Sequence, residues 1–237
     1  MRTYKLYLES GPQKKTTLVH VIDLLGCTAN AKTTDEALAG TPDAIRAYLA
    51  YLKRHGADVE PNEPFATRVA EHITKGDFLG QGSPHAVYAP DLRPLAPKDL
   101  ERVLPWLEWS RADLLALVKR IDAHRLRAKP ERGRSLYEIL RHVGEAEPHY
   151  ITGVLGRVEE LTAAGNAIYH DRIDIRDGLR VERAALIERL RALTAEERRL
   201  VKRAPGRVRT IRRGIRRTLE HEWEHRREIA TRLGTAA

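Results

Sequence analysis

The apolar residues of this chain change their spacing once, near Ala96, and that change limits the architectures open to it. Before it, short apolar stretches alternate with polar residues or run as compact blocks cut by Gly and Pro. Beyond it, apolar residues recur every three or four positions over long windows. A period of two buries one face of a strand, whereas a period near 3.6 buries one stripe of a helix. The chain is therefore expected to be α+β, with a small mixed unit over residues 1–75, a linker over 76–96 and an all-α unit over 97–237. At 237 residues it is long enough for two modest cores.

In the first part, Tyr4, Leu6 and Leu8 alternate with polar partners up to Glu9, as a half-buried strand requires, and Gly11-Pro12 ends the run. Leu18 to Leu25 reads as a second strand that Gly26 breaks, and Cys27 to Lys32 as a third. Thr33 with Glu36 forms a capping box, so a helix is expected to start there and to end by Gly56. Ala37, Leu38, Ile45, Tyr48, Leu49 and Leu52 make its apolar face, while Gly40 and Pro42 are expected to kink or interrupt it. Phe65 to Ile73 adds one more strand, giving a ββ(β)αβ order. Residues 76–96, dense in Gly and Pro, read as the linker.

In the second part, Pro105 suits the first turn of a helix through Trp106, Leu107, Trp109, Leu114, Leu117, Val118 and Ile121. Ser135 with Glu138 is another capping box, opening a helix through Ile139, Leu140, Val143, Ala146, Tyr150 and Val154 that Pro148 should bend. A third helix covers about Leu179 to Leu193, and Thr194 with Glu197 caps a shorter piece. Thr210 opens a last helix that Gly234 can terminate. Four main helices with connecting loops make an up-and-down four-helix bundle the economical arrangement.

The net charge of +9 lies almost wholly beyond residue 75, where 32 Lys and Arg face 24 acids. Eight basic residues from Lys202 to Arg217 form a run broken by no acid. Such a run reads either as a solvated helix face or as an attraction for nucleic acid or an anionic small molecule. A single cysteine, Cys27, rules out an internal disulfide and a cysteine-based zinc ribbon. No apolar run is long enough to span a bilayer, so a cytoplasmic protein without a membrane partner is expected, as a monomer or a homodimer.

The last helix contains His221-Glu-Trp-Glu-His225, and a spacing of four sets two imidazoles on one helix face. On a helical wheel, Ile211, Ile215, Thr218, His225, Ile229 and Leu233 fall within a sector of roughly 80°, with His221 at its edge. His142, flanked by Ile139, Val143 and Ala146, also can face the bundle interior. Three neutral imidazoles with one position left open make the donor set of a catalytic metal site. An isolated histidine pair at this spacing is also common on solvated helices. Glu222 points inward on the same wheel. A buried carboxylate needs a partner, such as a metal-linked histidine or an arginine, and it is expected beside the ligands or as a general base. His149 reads as an alternative ligand, a substrate contact or a satisfied core-edge histidine.

From about Pro94 to Leu233 the chain resembles the DinB family of damage-inducible-type bundles. The resemblance rests on Trp106-Leu-Glu-Trp109-Ser-Arg111, Ser135-Leu-Tyr-Glu-Ile-Leu-Arg-His142 and His221-x-x-x-His225. It implies nickel or zinc on one histidine of the second helix and two of the fourth, which transfers to His142, His221 and His225. Some relatives are transferases or isomerases that use a low-molecular-weight thiol. From about Tyr4 to Gly56 the chain resembles the HicB-like antitoxin domain, through Asp23-Leu-Leu-Gly26-Cys27 to Leu38 and Ala44-Ile-Arg-Ala-Tyr48-Leu. That resemblance implies a ribonuclease-H-like unit that binds and does not catalyse.

The resulting expectation is a metal-dependent transferase or hydrolase acting on a small molecule. Glu222 or His149 would move the proton, and Arg213 and Arg217 would hold an anionic substrate. The competing expectation is a non-catalytic module that contacts a protein or RNA partner and carries a metal-stapled bundle.

Overall fold

The computed structural model describes residues 1–11 and 16–235. The first elements in chain order are β1 (Arg2–Gly11), β2 (Thr16–His20), β3 (Thr28–Ala31), α1 (Thr34–Arg54) and β4 (Phe65–Ile73). A 3-10 turn at Ala89–Leu92 precedes α2 (Pro97–Val118), α3 (Ala123–Arg127), α4 (Leu136–Leu155), α5 (Glu159–Tyr169) and α6 (Ile175–Arg191). A hairpin of β5 (Val201–Ala204) and β6 (Arg207–Thr210) leads into α7 (Ile211–Leu233). The chain divides into two compact units, one of Met1–Arg93 with Val201–Glu220, the other of Pro94–Leu200 with His221–Ala237. The α+β class agrees with the expectation from periodicity.

The first unit is built on a four-stranded sheet of order β3-β2-β1-β4, in which only the β1–β4 pair is parallel. Helix α1 is the crossover that a parallel pair needs. Its capping box at Thr33 and Glu36 is formed, and it buries Ala37, Ile45, Tyr48, Leu49 and Leu52. Pro42 lies inside α1 without interrupting it. The ring forfeits one backbone hydrogen bond, but that buried apolar face keeps the helix in place. β1 is covered on both faces from Leu6 onward: Tyr4, Leu6 and Leu8 lie on one, Tyr7 and Glu9 on the other. Pro12, read as its end, lies outside the described residues.

The second face of the sheet explains why residues 76–96 differ from the linker expected of them. Leu79, Ser83, Ala86, Tyr88 and Asp91 are all buried. The Gly82 and Ser83 amides donate to the Glu9 carboxylate, at 2.5 and 3.1 Å to Oε1, and Gly82 reaches this turn with φ +77°. Arg216, on the first half of α7, donates from Nε and Nη2 to the two oxygens of Asp91 at 2.9 and 2.8 Å, and from Nη1 to Glu220. His20 Nδ1 lies 2.9 Å from Glu220 Oε1. Gly and Pro are frequent in this stretch because the backbone must turn tightly against the sheet, not because it spans open solvent.

In the second unit α2 starts at Pro97, eight residues before the proline expected to open it, and Pro105 is carried inside the helix. Proline at a first-turn position costs no helical bond, so Pro97 fills the role assigned to Pro105. The Ser135–Glu138 capping box opens α4, which ends at Gly156 with φ +86°. Helices α3 and α5 were not expected; each is short, and α5 carries only Leu161, Ala164 and Ile168 as buried residues. The hairpin of β5 and β6, which belongs with the first unit, departs from the all-helical expectation for residues 97–237. Val201 pairs with Thr210 and Ala204 with Arg207 across Pro205-Gly206, and strands this short and basic carry almost no periodic apolar signal.

The apolar core of the second unit gathers Leu114 and Val118 of α2, Ile139, Leu140 and Val143 of α4, Ile168 of α5, Ile175 and Leu179 of α6 and Ile229 of α7. Gly144 lets the elements approach closely, since a Cβ there would lie 2.8 Å from Ile168 Cδ1. Gly234, with φ +66°, closes α7 in a Schellman motif: its amide donates to Thr231 and that of Thr235 to Ala230.

Candidate metal centre

A layer of charge crosses the second unit next to its apolar core. Arg111 of α2 donates from Nε to Glu222 Oε1 of α7 at 2.5 Å and also pairs with Glu147 of α4. Arg183 of α6 donates from Nε to Glu147 Oε1 at 2.9 Å and from Nη2 to Glu222 Oε2 at 3.0 Å. Each guanidinium closes on a helix carbonyl as well, Arg111 on Leu179 and Arg183 on Leu107. A third carboxyl, Glu182, is buried beside them without a hydrogen bond, and burial, with Glu147 adding to it, pushes its pKa well above the usual carboxylate range. One residue from each of α2, α4, α6 and α7 thus fixes the rotation of four helices.

That rotation brings three imidazoles together. His221 Nε2 lies 3.1 Å from His142 Nε2 and 3.2 Å from His225 Nε2, with ring planes inclined at 71° and 88°. His221 is nearly buried, and the other two are partly exposed. Among the described residues these three form the one group of His, Cys, Asp or Glu disposed to hold a metal ion. Tyr150 of α4 presents its ring edge-on to His221 with centroids 6.0 Å apart.

The nitrogens fit a cation better than they fit one another. A neutral Nε2 carries either one proton or one lone pair, so His221 Nε2 cannot make good hydrogen bonds to both neighbours at once. Ligand nitrogens at roughly 2.0–2.1 Å from a tetrahedral ion stand about 3.3 Å apart, close to the spacings here. His225 Nδ1 lies 2.9 Å from Glu228 Oε2, which holds the proton on Nδ1 and leaves Nε2 as the donor. The same hydrogen bond, ahead of the opposing effect of burial, lowers the pKa of Glu228. Burial, followed by the charge of Arg134, lowers that of His142 and favours the neutral, ligating form.

A profile of the DinB superfamily matches residues 106–229. The chain belongs to the DinB superfamily. The match takes in Arg111, Glu147, Arg183 and Glu222 together with all three histidines of this DinB-superfamily protein, and the first 105 residues lie outside it. Nothing among the curated proteins or the solved structures matches the chain.

The other residues singled out in the sequence lie elsewhere. Both oxygens of Glu222 are taken up by Arg111 and Arg183, and these cations outweigh burial and hold its pKa well below the usual range. That is a poor environment for a general base, which needs a pKa near the working pH. Arg213 donates to the carbonyls of Ser83 and Ala86, and Arg217 to Glu220, within the first unit. Both are buried, not held out to a ligand. His149 is exposed at a cavity of about 310 Å³ with Glu145, Thr152, Asn166 and Tyr169. Glu228, one turn beyond His225, was missed. Its spacing of three was visible, but such spacing is too common on helices to single out a carboxylate.

Proposed function

We propose that the protein is a metal-dependent enzyme whose divalent ion, zinc or nickel, is held by His142, His221 and His225. The observation that supports this reading is the convergence of three Nε2 atoms on one point, with Glu228 presetting the tautomer of His225. Three imidazoles leave at least one position open, and an ion bound there would supply Lewis acidity to a carbonyl or lower the pKa of a thiol or water. The reaction class is then thiol-dependent transfer or hydrolysis of a small molecule.

The side chains of this chain have distinct parts in it. Arg111, Glu147, Arg183 and Glu222 orient the helices that carry the ligands, Glu228 orients His225, and the edge of Tyr150 walls one side of His221. Elemental analysis of protein purified without a histidine tag tests the reading. About one equivalent of zinc or nickel is expected for three imidazole ligands, lost in His221→Ala/His225→Ala with the fold intact. Wild-type protein that neither carries nor takes up either metal overturns it.

A second reading, nucleic-acid contact by the first unit, is favoured by the hairpin of β5 and β6. Lys202 stands directly across from Arg209, and Arg207 follows on the same face, two residues along. Like charges placed opposite each other cost stability unless an anion meets them. Lys202→Ala/Arg207→Ala should weaken any binding of single- or double-stranded RNA and flatten its salt dependence. Binding that the substitution leaves unchanged removes this reading. It would also leave the first unit, with its HicB-like pattern, to contacts of another kind.

A further inference from the structure

The ends of α3, α4 and α7 meet at a cavity of about 390 Å³ lined by the exposed Arg125, Lys129, Arg134 and Arg232 together with Ser135 and Leu136. No acidic residue lines it. Its volume is in the range of small-molecule sites, roughly 300–1,000 Å³. Four cations on one concavity repel one another, and the sequence brings them together from three separate segments. Glu138 pairs with Lys129 and accepts from the Ser135 amide, and Glu228 pairs with Arg232 and His225. Arg125 and Arg134 have no ion pair among the described residues, and a surplus of positive charge faces the cavity.

The site is also built, not merely basic. Arg232 is seated against Gly133, whose missing Cβ would lie 3.4 Å from Nη2, and Gly133 has φ +91°. The same guanidinium donates to the Arg134 carbonyl and to Glu228. Helix α4, 20 residues long, starts at this wall and adds the positive end of its dipole. Two hydrogen bonds connect the cavity to the histidines, from Arg232 to Glu228 and between Glu228 and His225 Nδ1.

We propose that this cavity is an anion subsite, which binds a phosphate or carboxylate group of the substrate whose reacting end lies at His142, His221 and His225. The second half of that statement rests on the metal-centre reading; the anion subsite itself does not. The substrate class is accordingly a small molecule with an acidic group at one end and a metal-seeking group, such as a thiol or carbonyl, at the other. Arg125 and Arg134 supply the unneutralised charge, while Arg232 positions the site and couples it to His225 through Glu228.

Inorganic phosphate and acetate are the probes, titrated calorimetrically at low ionic strength into the full-length protein before and after chelator treatment. Saturable phosphate binding is expected in both states. Arg125→Ala/Arg134→Ala should weaken it about tenfold or more, because charge-assisted hydrogen bonds are lost. Lys98→Ala, which removes an exposed cation that does not line the cavity, should leave it unchanged. Acetate binding as tightly as phosphate assigns the subsite to carboxylates, and its failure to compete assigns it to phosphates. Absence of saturable binding to the wild type, or equal affinity in wild type and the double arginine variant, overturns the proposal. Because the readout needs no metal, a protein that takes up no zinc or nickel but binds phosphate through these arginines would sink the metal reading alone.

Discussion

Arg111 on α2 and Glu222 on α7, 111 positions apart in the chain, meet in the interior with Nε 2.5 Å from Oε1. Glu222 is adjacent to His221 in sequence, so whatever fixes its direction also fixes which way His221 and His225 face. Removing one partner of a buried pair leaves the other charged and desolvated. Glu222→Ala should therefore cost about 3–5 kcal/mol of stability, read as a lower midpoint in urea. Arg111→Ala should cost a similar amount, and the double variant should cost much less than the two combined. A near-neutral Glu222→Ala would show that the layer does not hold the helices.

Metal binding should stabilise the protein because an ion held by three imidazoles has little affinity for the unfolded chain. Added zinc or nickel should raise the thermal midpoint of the wild type, and a chelator should lower it. His142→Ala, His221→Ala and His225→Ala should each abolish the response. If any one of them responds as the wild type does, that residue is not a ligand.

Glu228→Gln keeps the shape of the side chain but weakens the hydrogen bond to His225 Nδ1. Loss of such an orienting carboxylate should lower metal affinity by about 10–100-fold, while circular dichroism and the metal-free midpoint stay close to wild type. Unchanged affinity in a competition titration would reduce Glu228 to a surface partner of Arg232.

Two glycines should respond in opposite directions to alanine. Gly26 has φ +102°, and a Cβ there would lie 2.3 Å from the Tyr48 hydroxyl, which donates to the Leu25 carbonyl. Gly26→Ala should destabilise the protein. Gly40 lies inside α1 with nothing within 4 Å of the added carbon, and Gly40→Ala should stabilise by about 0.5–1 kcal/mol. Thermal unfolding of both variants checks the signs.

Local chemistry made much of this protein legible. The capping boxes at Thr33 and Ser135 need only residues three apart, and both helices start where those residues stand. The strand at Phe65–Ile73 was bounded by its own pattern. The DinB-like motifs named the three histidines because one helix carries two of them and the apolar neighbours of His142 fix its face. The linker, the all-helical reading of residues 97–237 and the ligand-holding roles of Arg213 and Arg217 were read differently from what the structure holds, and of the two kinds of partner expected for Glu222 the structure supplies arginine. For three of these the deciding partner is remote in the chain, Glu9 for Gly82 and Ser83, Ala86 for Arg213 and Arg111 for Glu222, whereas Arg217 pairs with Glu220 only three residues on.

The sequence by itself determined where the two box-capped helices α1 and α4 begin, which faces are apolar and which imidazoles share a helix, since these follow from spacings of two to four residues. Only the tertiary structure decided which charges are neutralised. Whether an arginine faces solvent, a carbonyl or a carboxylate depends on groups brought together by packing, and a buried charge persists only where such a partner exists. That is why the basic run from Lys202 to Arg217 looked uniform in sequence, yet divides in the structure into a largely exposed hairpin and the buried Arg213, Arg216 and Arg217, which hold the first unit together.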